Sequence, residues 1–129
     1  MDSYEVTVGA GSLRGEAEGI VTFPHRWTAD GATVEGPFTG AHLLSLAIAG
    51  CVLNDVYREA VALAMALDGV RVRAIGGFDP EWRSTGITYE IELDTGAPEA
   101  DRMALLDRVE AVAEMPKALA HGARVTHRR

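Results

Sequence analysis

Thr39-Gly40-Ala41-His42-Leu43-Leu44-Ser45-Leu46-Ala47-Ile48-Ala49-Gly50-Cys51-Val52-Leu53-Asn54-Asp55-Val56-Tyr57-Arg58-Glu59-Ala60-Val61-Ala62-Leu63-Ala64-Met65-Ala66-Leu67-Asp68-Gly69 decides how this chain folds. Thr39 suits an N-cap, because its hydroxyl can accept an orphan amide of the first turn, and Gly69 suits a stop. The spacing predicts one helix from about Ala41 to Asp68, whose 28 residues would reach about 42 Å, beyond the diameter of a compact domain of this length. At 100° per residue, Asn54, Asp55, Arg58 and Glu59 gather in one arc. Leu43, Leu46, Leu53, Val56, Tyr57, Leu63, Met65 and Leu67 occupy most of the rest. Such a helix must be covered on two sides. Either a sheet covers one and a partner subunit the other, or the helix breaks near Gly50, which costs about 1 kcal/mol relative to alanine. The dimer is the preferred expectation, with Ala47, Ala49 and Gly50 permitting close backbone approach.

On either side of the helix the apolar period is two. Tyr4–Val8 and Glu16–Phe23, separated by Gly9-Ala10-Gly11-Ser12, predict an antiparallel hairpin, and Ala32–Glu35 predicts a third strand between turn signals. Val70–Ile75 and Ile87–Leu93 predict a second hairpin across a loop carrying Asp79-Pro80. Pro98 is placed to open a second helix, with Leu105, Leu106, Val109, Val112 and Ala113 on one face and Asp101, Arg102, Asp107, Arg108 and Glu110 pointing away. Pro116 interrupts or kinks it, and Ala123–His127 could complete a sheet edge. The expected order is β-β-β-α-β-β-α-β, an α+β fold in one domain spanning residues 1–129.

The composition fits a folded globular chain: 129 residues, 47% hydrophobic and 24% charged, with a mean hydropathy of +0.03. Nineteen acidic against twelve basic side chains give a formal charge of -7, which argues against a nucleic-acid partner because phosphate binding needs a basic face. The basic cluster is confined to Arg124–Arg129. A single cysteine excludes an intramolecular disulfide and points to a reducing cytoplasm. The N-terminus, Met1-Asp2-Ser3-Tyr4-Glu5, has neither the basic start nor the apolar run of a signal peptide. The stretch from Gly36 to Asn54 lacks charge, but it opens on a Gly-Pro turn and runs into Asp55, Arg58 and Glu59, so no membrane span is expected.

Cys51 carries the chemical interest. Asn54, Asp55 and Arg58 lie three, four and seven residues on, so all three project from its side of the helix. A guanidinium favours the reactive thiolate and a carboxylate opposes it, which leaves the direction of the net shift open, between a reactive thiol and a structural one. The four histidines have no metal-ligand spacing, and no metal site is expected. Gly9-Ala10-Gly11-Ser12-Leu13-Arg14-Gly15 leads from strand to strand, so it lacks the helix N-terminus of a dinucleotide loop. Trp27 and Trp82 read as packing or interface residues.

The element order and three segments resemble the OsmC/Ohr family, the osmotically inducible protein C and organic hydroperoxide resistance proteins. Leu43–Cys51 is similar to the family's peroxidatic helix, Val70–Asp79 to the strand after it, and Ala113-Glu114-Met115-Pro116-Lys117-Ala118-Leu119 to its Cys-Pro motif. The resemblance covers essentially the whole chain and implies an intertwined homodimer with long central helices and sites at the subunit interface. It implies no cofactor. In active members one cysteine attacks a hydroperoxide to give a sulfenic acid, and a second resolves it as a disulfide that a dithiol reduces. Cys51 corresponds to the first, while Met115 stands at the second position, and Ala41 beside His42 stands where the family has a glutamate. The activating arginine would be Arg58 or Arg14, with Arg26 an alternative, and Asn54, Asp55 and Met115 would line the pocket.

Two functions follow from this. One is a one-cysteine peroxidase that reduces organic hydroperoxides with an external thiol or dithiol. The other is a non-catalytic relative that binds a small apolar ligand at the dimer interface. Neither requires nucleic acid or a membrane.

Overall fold

The computed structural model describes residues 3–129; Met1 and Asp2, part of the N-terminal reading above, lie outside the described residues. Five strands form one antiparallel sheet in the order β2-β3-β1-β4-β5, and three helices, α1, α2 and α3, accompany it. The central strand β1 (Tyr4–Gly11) pairs with β3 (Ala32–Glu35) on one side and β4 (Gly69–Phe78) on the other. β4 continues into β5 (Ser84–Asp94) as the expected second hairpin.

The expected first hairpin does not form. β1 is central because Val6, Val8 and Ala10 are buried opposite Ala74, Val72 and Val70 of β4, which are equally buried. β2 shrinks to Val21–Phe23, all exposed, and pairs only with β3 at the sheet edge. Between β1 and β2 the chain detours through Gly15, whose amide donates to Thr33 Oγ1 at 2.8 Å, while that hydroxyl donates to Gly9 O.

The long helix α1 (Gly40–Ala62) lies across one face of the sheet, capped as expected by Thr39, whose side chain accepts from the His42 amide. It stops six residues earlier than expected, and Ala64 is the reason. Ala64 sits at φ 53° and its amide donates to Val61 O, while the Met65 amide donates to Ala60 O. This is the Schellman arrangement, with alanine in the left-handed position that usually needs glycine. The following turn tucks Met65 and Leu67 against the core. Replacing Ala64 with glycine should therefore stabilise the fold by about 0.5–1 kcal/mol, measured by denaturant titration, because relief of the left-handed strain exceeds glycine's added entropy.

Even at 23 residues α1 reaches about 35 Å. By length and composition it could cross a membrane, yet here it is a core helix: Ile48, Ala49, Val52, Leu53, Val56 and Ala60 are buried. Ala49 faces the sheet, so it is not available for the partner contact expected of it. Leu43, Ala47, Asn54, Arg58 and Val61 form the stripe left uncovered, with the half-buried Gly50 among them. No break occurs at Gly50.

The second helix divides. α2 (Glu99–Val112) ends where Ala113 turns to ψ 124°, and α3 (Glu114–His121) begins at once. Pro116 falls in the first turn of α3, where its missing amide hydrogen costs no helical bond. Leu105, Val109 and Ala113 are buried, as expected from their shared face. The last strand does not form: Ala123–His127 is exposed and belongs to no strand. The observed order is thus β-β-β-α-β-β-α-α.

Candidate functional site

Cys51 sits midway along α1 on the flank away from the sheet, under the junction of α2 and α3. Its Sγ lies 3.6 Å from Asp55 Oδ2 and 3.7 Å from Glu114 Oε1, positions from which the thiol can donate. The Met115 amide donates to the sulfur at 3.5 Å. Asp55 comes from the next turn of α1, whereas Glu114 and Met115 open α3, so the site exists only because the helix breaks at Ala113.

Arg58 does not face the sulfur. Its guanidinium is held by three carboxylates: Asp55 Oδ1 at 3.0 Å, Glu59 Oε2 at 3.0 Å and Glu114 Oε2 at 3.2 Å. Glu59, buried, is also bound by Nε of Arg108, which reaches over from α2 instead of pointing to solvent. The cluster therefore sets three carboxylates against two guanidiniums before the thiol is counted.

The titration of these groups follows from that arrangement. Burial, with Asp55 and Glu114 adding to it, pushes the Cys51 thiol up, and the Met115 amide only partly offsets this. Burial also raises Asp55, from 3.8 to about 6, against the pull of Arg58. Partial burial opposes ionisation of Glu114, but its bond to Arg58 wins and holds it below the usual range. Arg108 and Arg58 hold Glu59 low. The sulfur thus faces an ionised Glu114, and Asp55 joins it as an anion above pH 6. Its resting form is the thiol.

Beside Cys51 an apolar groove of 350 Å3 runs between α1, α3 and the start of β5, lined by Leu44, Ile48, Ile87, Tyr89, Pro116 and Leu119. Sγ and one oxygen each of Asp55 and Glu114 lie within 4.8 Å of one another, close enough to converge on one cation.

Of the residues singled out from sequence, Cys51, Asp55, Arg58 and Met115 come together, Met115 through its backbone. Asn54 turns to the other flank, where its Oδ1 lies 2.9 Å from His25 Nε2. Arg14 pairs with Asp30 in the loops around β2 and makes no polar contact with Cys51 among the described residues. Sequence reasoning missed Glu114, Glu59 and Arg108 as members of the site. Glu114 stands beside Met115 in the segment that aligned with the Cys-Pro motif, and that adjacency was the available signal; nothing local marked Arg108.

A five-stranded antiparallel sheet carrying one long core helix, with a cysteine under a broken second helix, defines an OsmC-like α+β fold. Among solved structures, the chain is similar to an OsmC-like hydroperoxide resistance protein from Jannaschia sp. CCS1, with a TM-score of 0.55 and 17% identity over 98% of this chain and 93% of that one. At that identity the likeness is one of fold. No protein-family model and no curated protein matches the sequence.

Proposed function

We propose that this chain is a divergent OsmC/Ohr-type homodimer that binds a small apolar molecule in the groove beside Cys51, with Cys51 a thiol that takes no part in chemistry. One observation carries the reading: the sulfur lies between two carboxylates, and the guanidinium that would have to stabilise a thiolate is spent on Asp55, Glu59 and Glu114. Hydroperoxide reduction needs the thiolate as nucleophile. Met115 at the resolving position supports the same conclusion, since a methionine cannot form the disulfide. The homodimer is supported by the apolar residues Leu43, Ala47 and Val61 on the uncovered stripe of α1. A lone free cysteine fits a reducing cytoplasm.

The Met115 amide on the sulfur, which favours the anion, supports a second reading: slow one-cysteine reduction of organic hydroperoxides with an external thiol or dithiol. One equivalent of cumene hydroperoxide, followed by mass spectrometry, separates the two. The expected result is Cys51 still a thiol after several minutes, while cumyl alcohol at millimolar concentration shifts the methyl resonances of Ile48, Ile87 and Leu119. Sulfenic acid formed at Cys51 within seconds would replace the first reading with the second.

A further inference from the structure

The groove beside Cys51 is apolar along its length and acidic at one end. Leu44, Ile48, Ile87, Pro116 and Leu119 wall a volume of 350 Å3, and among the described residues no charged side chain lines it. That is the small end of the range for ligand sites, with room for one ring or one short chain. Two of the wall residues tie the groove to the thiol cluster, since Ile48 stands one turn before Cys51 on α1 and Pro116 two residues after Glu114 on α3. Tyr89, also in the wall, senses the same end: burial pushes its hydroxyl up, with Glu110 and Cys51 adding to it.

Around this end Asp55, Glu59, Glu110 and Glu114 outnumber Arg58, Arg108 and Lys117. Each of the three cations is already engaged, Arg58 with three carboxylates, Arg108 with Glu59 and Lys117 with the carbonyl of Ala111. Asp55 and Glu114 each give one oxygen to Arg58, at 3.0 and 3.2 Å, and turn the other to the sulfur, at 3.6 and 3.7 Å. A thiol carries only one proton. Above about pH 6, where both carboxyls are ionised, one of these two oxygens is therefore left without a donor. The Asp55 side chain is 3% exposed, so water has little access to it. A buried anionic oxygen without a partner is costly, and a donor that brings positive charge relieves it most. The two oxygens and Sγ lie within 4.8 Å of one another, so a single ammonium can reach all three. A bare cation would leave the adjoining groove empty, whereas one molecule with a charged end and an apolar body satisfies both features.

We infer that the groove takes a small amphipathic primary amine, its ammonium on Asp55 Oδ2 and Glu114 Oε1 beside the sulfur and its hydrocarbon body against Ile48, Ile87 and Leu119. This rests on the apolar groove of the proposed function and gives its occupant a charge. The test compares three ligands of similar shape on the full chain at about pH 7.5: cumylamine, protonated at that pH, cumyl alcohol, and the 2-phenylisobutyrate anion. Titrations followed by the methyl resonances of Ile48, Ile87 and Leu119 should show the amine binding about tenfold more tightly than the alcohol, and the carboxylate most weakly. Glu114→Gln, at a half-exposed position, should remove most of the amine's advantage. Equal affinity for amine and alcohol, or tightest binding of the carboxylate, would overturn the inference and leave the apolar groove standing. So would an amine advantage that survives both Glu114→Gln and Asp55→Asn, since the ammonium would then sit elsewhere. Methyl resonances unmoved by all three ligands would instead remove the groove reading itself, and this inference with it.

Discussion

Leu105→Ala is expected to lower the stability of the fold by about 3 kcal/mol and the melting temperature by about 10 °C. Leu105 is wholly buried where α2 meets α1, and the truncation leaves a cavity that two docked helices cannot close without losing Val109 and Ala113 as well. The consequence reaches the site, because Arg108 and Glu114 are held over α1 by that same contact. Iodoacetamide should therefore reach Cys51 faster in the variant at denaturant concentrations too low to unfold the parent. Leu105→Met, which keeps the volume, should cost less than about 1.5 kcal/mol and restore the slow rate. An unchanged melting temperature in Leu105→Ala would show that α2 does not depend on this anchor.

Asp55→Asn and Arg58→Met should move the reactivity of Cys51 in opposite directions. Removing the Asp55 carboxylate, 3.6 Å from the sulfur, relieves repulsion of the thiolate, and alkylation at pH 8 should accelerate about tenfold, the equivalent of one pKa unit. Arg58→Met leaves Asp55 and Glu114 without their shared cation. Alkylation should slow by a similar factor, and the fold should lose about 2 kcal/mol, less than for a fully buried pair because Arg58 is half exposed. Asp55 also sets a pH dependence of stability. Burial raises its carboxyl from 3.8 to about 6, so between these values the folded state keeps a proton that the unfolded chain releases. Its contribution is present below about pH 4 and lost as the pH rises through 6. Urea midpoints measured from pH 4 to 7 should show this decline in the parent and not in Asp55→Asn. An alkylation profile indifferent to both substitutions would mean that Cys51 does not sense the charges beside it.

The strands β3, β4 and β5, the N-cap at Thr39 and the buried face of α2 were all legible from local pattern, since each depends on periodicity and capping within a few residues. The end of α1 was not, because alanine at position 64 carries no sign of a left-handed conformation; only the Schellman bonds and the packing of Met65 and Leu67 impose it. The strand partner of β1 was equally hidden. A turn after Gly11 suggests a hairpin, but burial of Val6, Val8 and Ala10 on a shared face with Val70, Val72 and Ala74 outweighs the nearness of β2 in sequence.

At the site, the sequence by itself determined that one cysteine shares a helix flank with Asp55 and Arg58, and that no second thiol exists. Whether the arginine serves the sulfur was a tertiary matter. Glu114, 63 residues from Cys51, and Arg108, 49 from Glu59, arrive only when α2 and α3 dock on α1. A guanidinium goes to the carboxylates that surround it most closely, and the helix junction at Ala113 places one of them, Glu114, between Arg58 and the sulfur. Electrostatic balance depends on distances that the chain acquires only by folding, which is why Cys51, Asp55 and Arg58 could be named from sequence while Glu114, Arg108 and the resting state of Cys51 could not.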